Sequence, residues 1–181
     1  MAQNQESKNI ATVSTIKRTM NKTVYISGSI TDPATGQPRD GWQKDFLEAE
    51  AKLRAMGFYV INPVDIAREV DDAFKWRFRF YGGPMNSTGE PLQPKRTDYI
   101  MACLQRMQMA READMLHAVY IAGDIYKARL SRGVGMEMNL AELLDIPIYV
   151  DCAEGKRVTW VPNSFVPVSE SEDITELLKE D

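Results

Sequence analysis

The chain has 181 residues, 44% apolar and 27% charged, the make-up of an ordinary globular protein able to bury roughly 70% of its unfolded surface in one domain. A net charge of −4 argues against a general nucleic-acid binder, which needs a basic surface, but leaves room for a small anion in a local pocket. The two cysteines, Cys103 and Cys152, lack metal-ligand spacing and point to a reducing compartment. No apolar run reaches the length of a membrane span, and the first twenty residues carry no apolar signal core. The expectation is therefore a cytoplasmic protein with a flexible N-terminus over residues 1–20.

Lys22 to Gly28 reads as a short buried strand that breaks at glycine. Asp32-Pro33, Gly36, Pro38 and Gly41 mark a turn-rich stretch. Trp42, Phe46, Ala49, Leu53 and Met56 then recur at helical spacing, with Gly57 placed to end that helix. Phe58 to Ile61 reads as a second strand, stopped by Asn62-Pro63. Residues 64–97 form a long insertion, in which Phe74, Trp76, Phe78 and Phe80 alternate with Lys75, Arg77 and Arg79. Period-two alternation predicts an extra strand there, serving either as a base-stacking lid or as an edge or oligomer contact.

Residues 98–113 return to helical spacing through Ile100, Cys103, Leu104, Met107 and Ala110, followed by a third strand over Met115 to Ile121. His117 and Cys103 lie among apolar neighbours and read as core. Val134 to Leu144 is a third long helix and Ile146 to Val150 a fourth strand. Residues 151–181 are a C-terminal extension with a strand near Val158–Val161 and a short acidic helix at the end. Strands alternating with helices imply a mostly parallel sheet covered on both faces, with ligands beyond the carboxyl ends of its strands. The loops after Ile26 and Tyr120 lead to that edge.

Two stretches carry candidate chemistry. Ser131, Gly133 and Gly135 precede or open the third helix, where free backbone N–H groups and a serine hydroxyl suit an anion. Glu137 shares a helical face with Val134, Met138 and Ala141 and so points inward. Read as a first-turn residue, it is expected to be held ionised by the helix's positive end. The plainer alternative is a glutamate that caps its helix or pairs with Arg132. The spacing is neither a dinucleotide fingerprint nor a P-loop. In the first strand, Tyr25 can set its hydroxyl against a carboxylate, while Gly28 and Ser29 can donate to an anion. The plainer alternative there is a buried tyrosine and a routine turn.

Together these stretches resemble the nucleoside 2-deoxyribosyltransferase superfamily and its 2'-deoxynucleoside 5'-phosphate N-hydrolase branch. The resemblance is carried by Tyr25, Gly28, Ser29 and Ile30, by Ala113-Asp114, by Ser131, Gly133 and Glu137, and by Ile146-Pro147. It spans residues 23–150 outside the insertion. It implies a flavodoxin-like (Rossmann-like) three-layer α/β sandwich and a homo-oligomer. It further implies a small-molecule nucleoside or nucleotide as ligand, with no nucleic-acid or membrane partner, no cofactor and no metal.

In that family Glu137 would attack the anomeric carbon, Tyr25 would orient it, and a glycosyl-enzyme would pass its sugar to water or to another base. Asp114 reads as structural. The transferases carry an aspartate six residues before the nucleophile. Ser131 in that place resembles the phosphate-binding hydrolases and favours a 5'-monophosphate. The family's aspartate for the leaving base is replaced by Arg106, so Asp98 or Asp124 would have to serve instead. Failing that, two other readings stand: a non-catalytic nucleotide-binding or sensing module, and a structural or interaction protein on the same fold.

Overall fold

The computed structural model describes residues 22–32, 34–83, 85–151, 156–168 and 172–179. The expected flexible N-terminus lies outside them. Strand β1 (Thr23–Ser27) is followed by helix α1 (Trp42–Ala55), β2 (Tyr59–Ile61), α2 (Pro63–Tyr81), α3 (Arg96–Glu112) and β3 (Leu116–Ile121). A one-turn helix α4 (Ile125–Ala128) leads into α5 (Arg132–Leu143), then β4 (Ile148–Val150), β5 (Arg157–Val161), β6 (Ser164–Pro167) and a 3-10 turn at Ile174–Leu178.

The six strands form one mixed sheet in the order β2-β1-β3-β4-β5-β6. β1 pairs in parallel with β2 and β3, and β3 in parallel with β4, while β5 and β6 are antiparallel additions. The chain leaves β1 toward β2 on one side and returns to β3 on the other. A crevice therefore opens beyond the carboxyl ends of β1 and β3, where Ser27 lies opposite Ile121.

Alternation along the strands splits the core in two. Val24 and Ile26 of β1 face α1 and join Phe46, Ala49 and Leu53, whose helical spacing places them on one stripe. Tyr25 of the same strand faces the other way, into a cluster with Met107 of α3 and Val134, Met138 and Ala141 of α5. Each large aliphatic or aromatic side chain fully buried in these clusters contributes about 1.5–3 kcal/mol. His117, expected in the core, is only half-buried in β3 because its ring turns to the backbone of β1. Its Nδ1 accepts the Thr23 N–H at 3.1 Å, where the β1–β3 register shifts. Asp114 closes α3 in the left-handed region (φ 57°), a structural place.

The insertion departs from expectation. Residues 74–80 are the second half of helix α2, not a strand. Aromatics two apart also satisfy helical i, i+4 spacing, and Trp76 and Phe80 stack this way with ring centroids 5.2 Å apart. No β-branched residue lies between Ala73 and Tyr81, and Asn62 caps the start by accepting the Val64 N–H at 3.0 Å, with Pro63 at the first helical position. In the extension, the expected strand is joined by an unforeseen partner. Pro162 and Asn163 (φ 63°) form the two-residue turn that pairs Val161 with Ser164. No helix among the described residues is long and apolar enough to cross a membrane.

The loop after β1 is pinned to the loop after β3 by one polar chain. Arg39 donates from Nε to the Ser29 carbonyl at 2.6 Å and pairs through Nη2 with Asp45 of α1. Asp45 in turn packs on Gly123, where φ is +72° and a Cβ would lie 2.5 Å from Oδ2. Gly123→Ala is expected to cost about 1–3 kcal/mol through backbone strain and this clash. Urea unfolding checks it, and an unchanged midpoint would show that the loop yields freely.

Candidate active site

The crevice at the ends of β1 and β3 deepens into a cavity of about 560 Å³. Its floor is made by Ser131, Gly133, Val134 and Glu137 at the start of α5 and by Gly28 just past β1, and β1 itself lies buried beneath. Tyr25 and Ser27, two residues apart on a strand, point to the same face, and Glu137 of α5 reaches down to meet both. Tyr25 Oη donates to Glu137 Oε1 at 2.7 Å, and Ser27 Oγ donates to Oε2 at 2.5 Å. Glu137 is only 8% exposed. Each carboxylate oxygen thus has a hydroxyl donor, and none of the buried polar side-chain atoms described lacks a partner.

The inward direction of Glu137 and its bond from Tyr25 agree with the sequence, and no pairing with Arg132 occurs. Its position and charge do not agree. Ser131 is the N-cap of α5, so Glu137 is the sixth helical residue, in the second turn rather than the first. The field of the helix end fades within a turn. Burial dominates instead and pushes the Glu137 carboxyl up to about 7, against the lowering by the Ser27 and Tyr25 hydrogen bonds. The Tyr25 phenol is held well above its ordinary value, first by burial and then by the Glu137 charge, so it remains a donor. Cys103 of α3, read from sequence as core, is buried and also lines the cavity. Burial and the Glu137 charge push its thiol up to about 12.

The other predicted residues divide. Gly28, Ile30, Ser131 and Gly133 all line the cavity. Gly28 is required by packing as well, since a Cβ there would stand 3.1 Å from the Phe46 ring and 3.3 Å from the Ala122 carbonyl. Ser29 is spent on the loop. Its buried hydroxyl donates to the Thr31 carbonyl at 3.0 Å, which leaves no proton for an anion. Gly135 faces Trp160 instead of the cavity. A Cβ there would stand 3.7 Å from the indole, so this glycine serves packing against β5 rather than a ligand.

Neither expected acid reaches the cavity. Asp98 accepts the Lys95 N–H at 2.6 Å and caps α3, while Asp124 is exposed and accepts the Tyr126 N–H at 2.8 Å to cap α4. Arg106 does not reach it either; it pairs with Glu69 at 2.5 Å and ties α3 to α2.

Two residues join the site without a motif to mark them. Ser27 is legible from the alternation with Tyr25. Asp71 lies in the 64–97 insertion, three residues before the alternating aromatics, where no motif marks it. On helix α2 it shares a face with Ala67 and Arg68, and all three line the cavity with Glu137. Among the described residues, no group of three or more His, Cys, Asp or Glu side chains is placed to hold a metal ion. No family model, curated protein or solved structure matches the chain.

The raised Glu137 value has a consequence for stability with a definite sign. An ordinary glutamate titrates near 4.5 and the folded one at about 7, so the folded state binds this proton more tightly. The stabilising effect is complete below pH about 4.5 and is lost as pH rises through about 7. At about 1.4 kcal/mol per unit, the loss across that window is about 3 kcal/mol. Glu137→Gln removes the titration. Its melting temperature relative to the parent should therefore rise steadily from pH 4.5 to 8. Parallel curves over that range would mean that Glu137 titrates normally.

Proposed function

We propose that the protein cleaves the N-glycosidic bond of a nucleoside 5'-monophosphate or nucleoside, on a flavodoxin-like three-layer fold of the nucleoside 2-deoxyribosyltransferase kind. The observation that carries this reading is Glu137 on the cavity floor, held from beneath by Tyr25 and Ser27. A carboxylate gripped at both oxygens by hydroxyl donors has a fixed orientation and keeps further lone pairs for an electrophilic carbon. Its apolar setting raises its basicity, which suits a nucleophile that becomes available near neutral pH.

In the first step a Glu137 oxygen bonds to the anomeric carbon as the carbon–nitrogen bond breaks, its electron pair leaving with the base, which takes up a proton from solvent water. In the second step water attacks the same carbon, the sugar–glutamate bond breaks, and the water's proton is released. Another base in place of water gives transfer instead of hydrolysis. Tyr25 and Ser27 hold the carboxylate in line throughout. Ser131 and Gly133, at the start of α5, supply the hydroxyl and backbone donors for a 5'-phosphate.

Incubation with a panel of nucleosides and 5'-monophosphates, read by release of free base, tests the reading. Glu137→Gln should lower the rate at least about a thousandfold, as loss of a nucleophile does. Tyr25→Phe should lower it about tenfold or more by removing one hydrogen bond to a charged group. The parent rate should climb with pH through about 7 as Glu137 ionises. Full activity in Glu137→Ala would overturn the mechanism. A second reading, a nucleotide-binding or sensing module without catalysis, is favoured by Arg106, which stands where the family has a carboxylate for the base. Tight binding with no base released from any substrate would select it.

A further inference from the structure

Another wall of the Glu137 cavity has a distinct chemical character. Asp71 of α2 accepts the Tyr99 hydroxyl of α3 through Oδ1 at 2.6 Å, and both residues line the cavity. Burial, followed by the hydrogen bond to Asp71 and then the Asp71 charge, pushes the Tyr99 phenol up to about 12, so its single proton stays on oxygen and is committed to Asp71. A phenol with its proton so committed offers only lone pairs, and a carboxylate is acceptor-only. Arg68, one turn before Asp71, pairs with Asp65 instead, and among the described residues Asp71 makes no ion pair. The wall is braced from behind by the Glu69–Arg106 pair between the same two helices. Water can satisfy a half-buried acceptor surface of this kind, and among ligands the surface favours one that brings donors over one that offers only acceptors.

We propose that Asp71 and Tyr99 form the base-recognition wall of the cavity and select a nitrogen heterocycle that carries an exocyclic amino group. The choice of a base as ligand rests on the N-glycosidic reading above; the preference for donors rests on the wall itself. The arginine at position 106 then has a part in the same device. It does not meet the base, but it positions the helix that does.

Matched ligands that differ only in the amino group isolate the effect: adenosine against purine riboside, guanosine against inosine, and cytidine against 2-pyrimidinone riboside, each as nucleoside and 5'-monophosphate. Binding is measured by calorimetry on the full-length Glu137→Gln protein, so that no ligand is consumed. In at least one pair the amino-bearing member should bind about tenfold tighter or better, the size expected of a hydrogen bond to a charged group. With Asp71→Asn added, Tyr99 still donates to the amide oxygen, and the amide NH2 replaces an acceptor with a donor. The preference should then fall to within about threefold or reverse. Tyr99→Phe leaves the carboxylate and should keep the preference with weaker binding of both members. Melting curves of each variant within a few degrees of the parent exclude unfolding as the cause.

A preference unmoved by Asp71→Asn, no preference in any pair, or no binding of any member overturns the proposal. The expected pattern without base release by the parent protein would leave the wall assigned and the glycosidic chemistry refuted. Base release with a preference unmoved by Asp71→Asn would do the reverse.

Discussion

A carboxylate taken out of water must be compensated, and here two hydroxyls of one strand provide the compensation. Tyr25 and Ser27 reach Glu137 because they stand two apart on β1, and because α5 crosses that strand at its second turn. The arrangement fixes more than one side chain. β1 must be paired on both edges by β2 and β3 and covered on its two faces by α1 and by α3 and α5, and α5 must begin beyond the sheet's carboxyl edge so that its sixth residue lies over Tyr25. Breaking one of these bonds would leave a buried charged group short of a partner, which is among the costlier defects a fold can carry.

The two donors do not cancel the cost of burial, and the balance is informative. Hydrogen bonding alone would hold the Glu137 carboxyl below its ordinary value, yet desolvation by the surrounding core carries it to about 7. The apolar side chains that stabilise the domain, Met107, Val134 and Met138 among them, therefore also raise the basicity of the one carboxylate they enclose. Packing and reactivity are linked through the same contacts, so enlarging or hydrating this half of the core would lower that basicity as well as the stability.

Much of this was legible in the sequence where a single period governs a segment. β1, α1, α3, β3 and α5 follow from apolar spacing within a residue or two, and the inward face of Glu137 follows from its neighbours Val134, Met138 and Ala141. Legibility failed where two periods coincide or where local chemistry competes with function. Phe74, Trp76, Phe78 and Phe80 satisfy both the strand and the helix period, so their alternation does not reveal the helix that carries Asp71 to the cavity. Asp98 stands in the first turn of α3 and Asp124 just before α4, and each is consumed by capping its own helix. Ser29 and Gly135 lie within motif-like stretches, yet one is bound to its loop and the other packs against an indole. A residue type near a site says little until its hydrogen-bond capacity has been accounted for.

The cavity is assembled from segments that meet only in space. Its floor belongs to the start of α5, locked to β1 beneath it through the centre of the domain, whereas another wall belongs to α2 and α3, which are joined to each other by Tyr99–Asp71 and Arg106–Glu69. Substitutions at the cavity-lining positions of that pair, Ala67, Arg68, Asp71 and Tyr99, reshape one side of the chamber while the carboxylate and its two hydroxyls stay as they are. Such a layout gives inheritance a free hand with one half of the pocket and almost none with the other. Drift in α2 and α3 is the route by which descendants of this chain would acquire new ligands without first losing their fold.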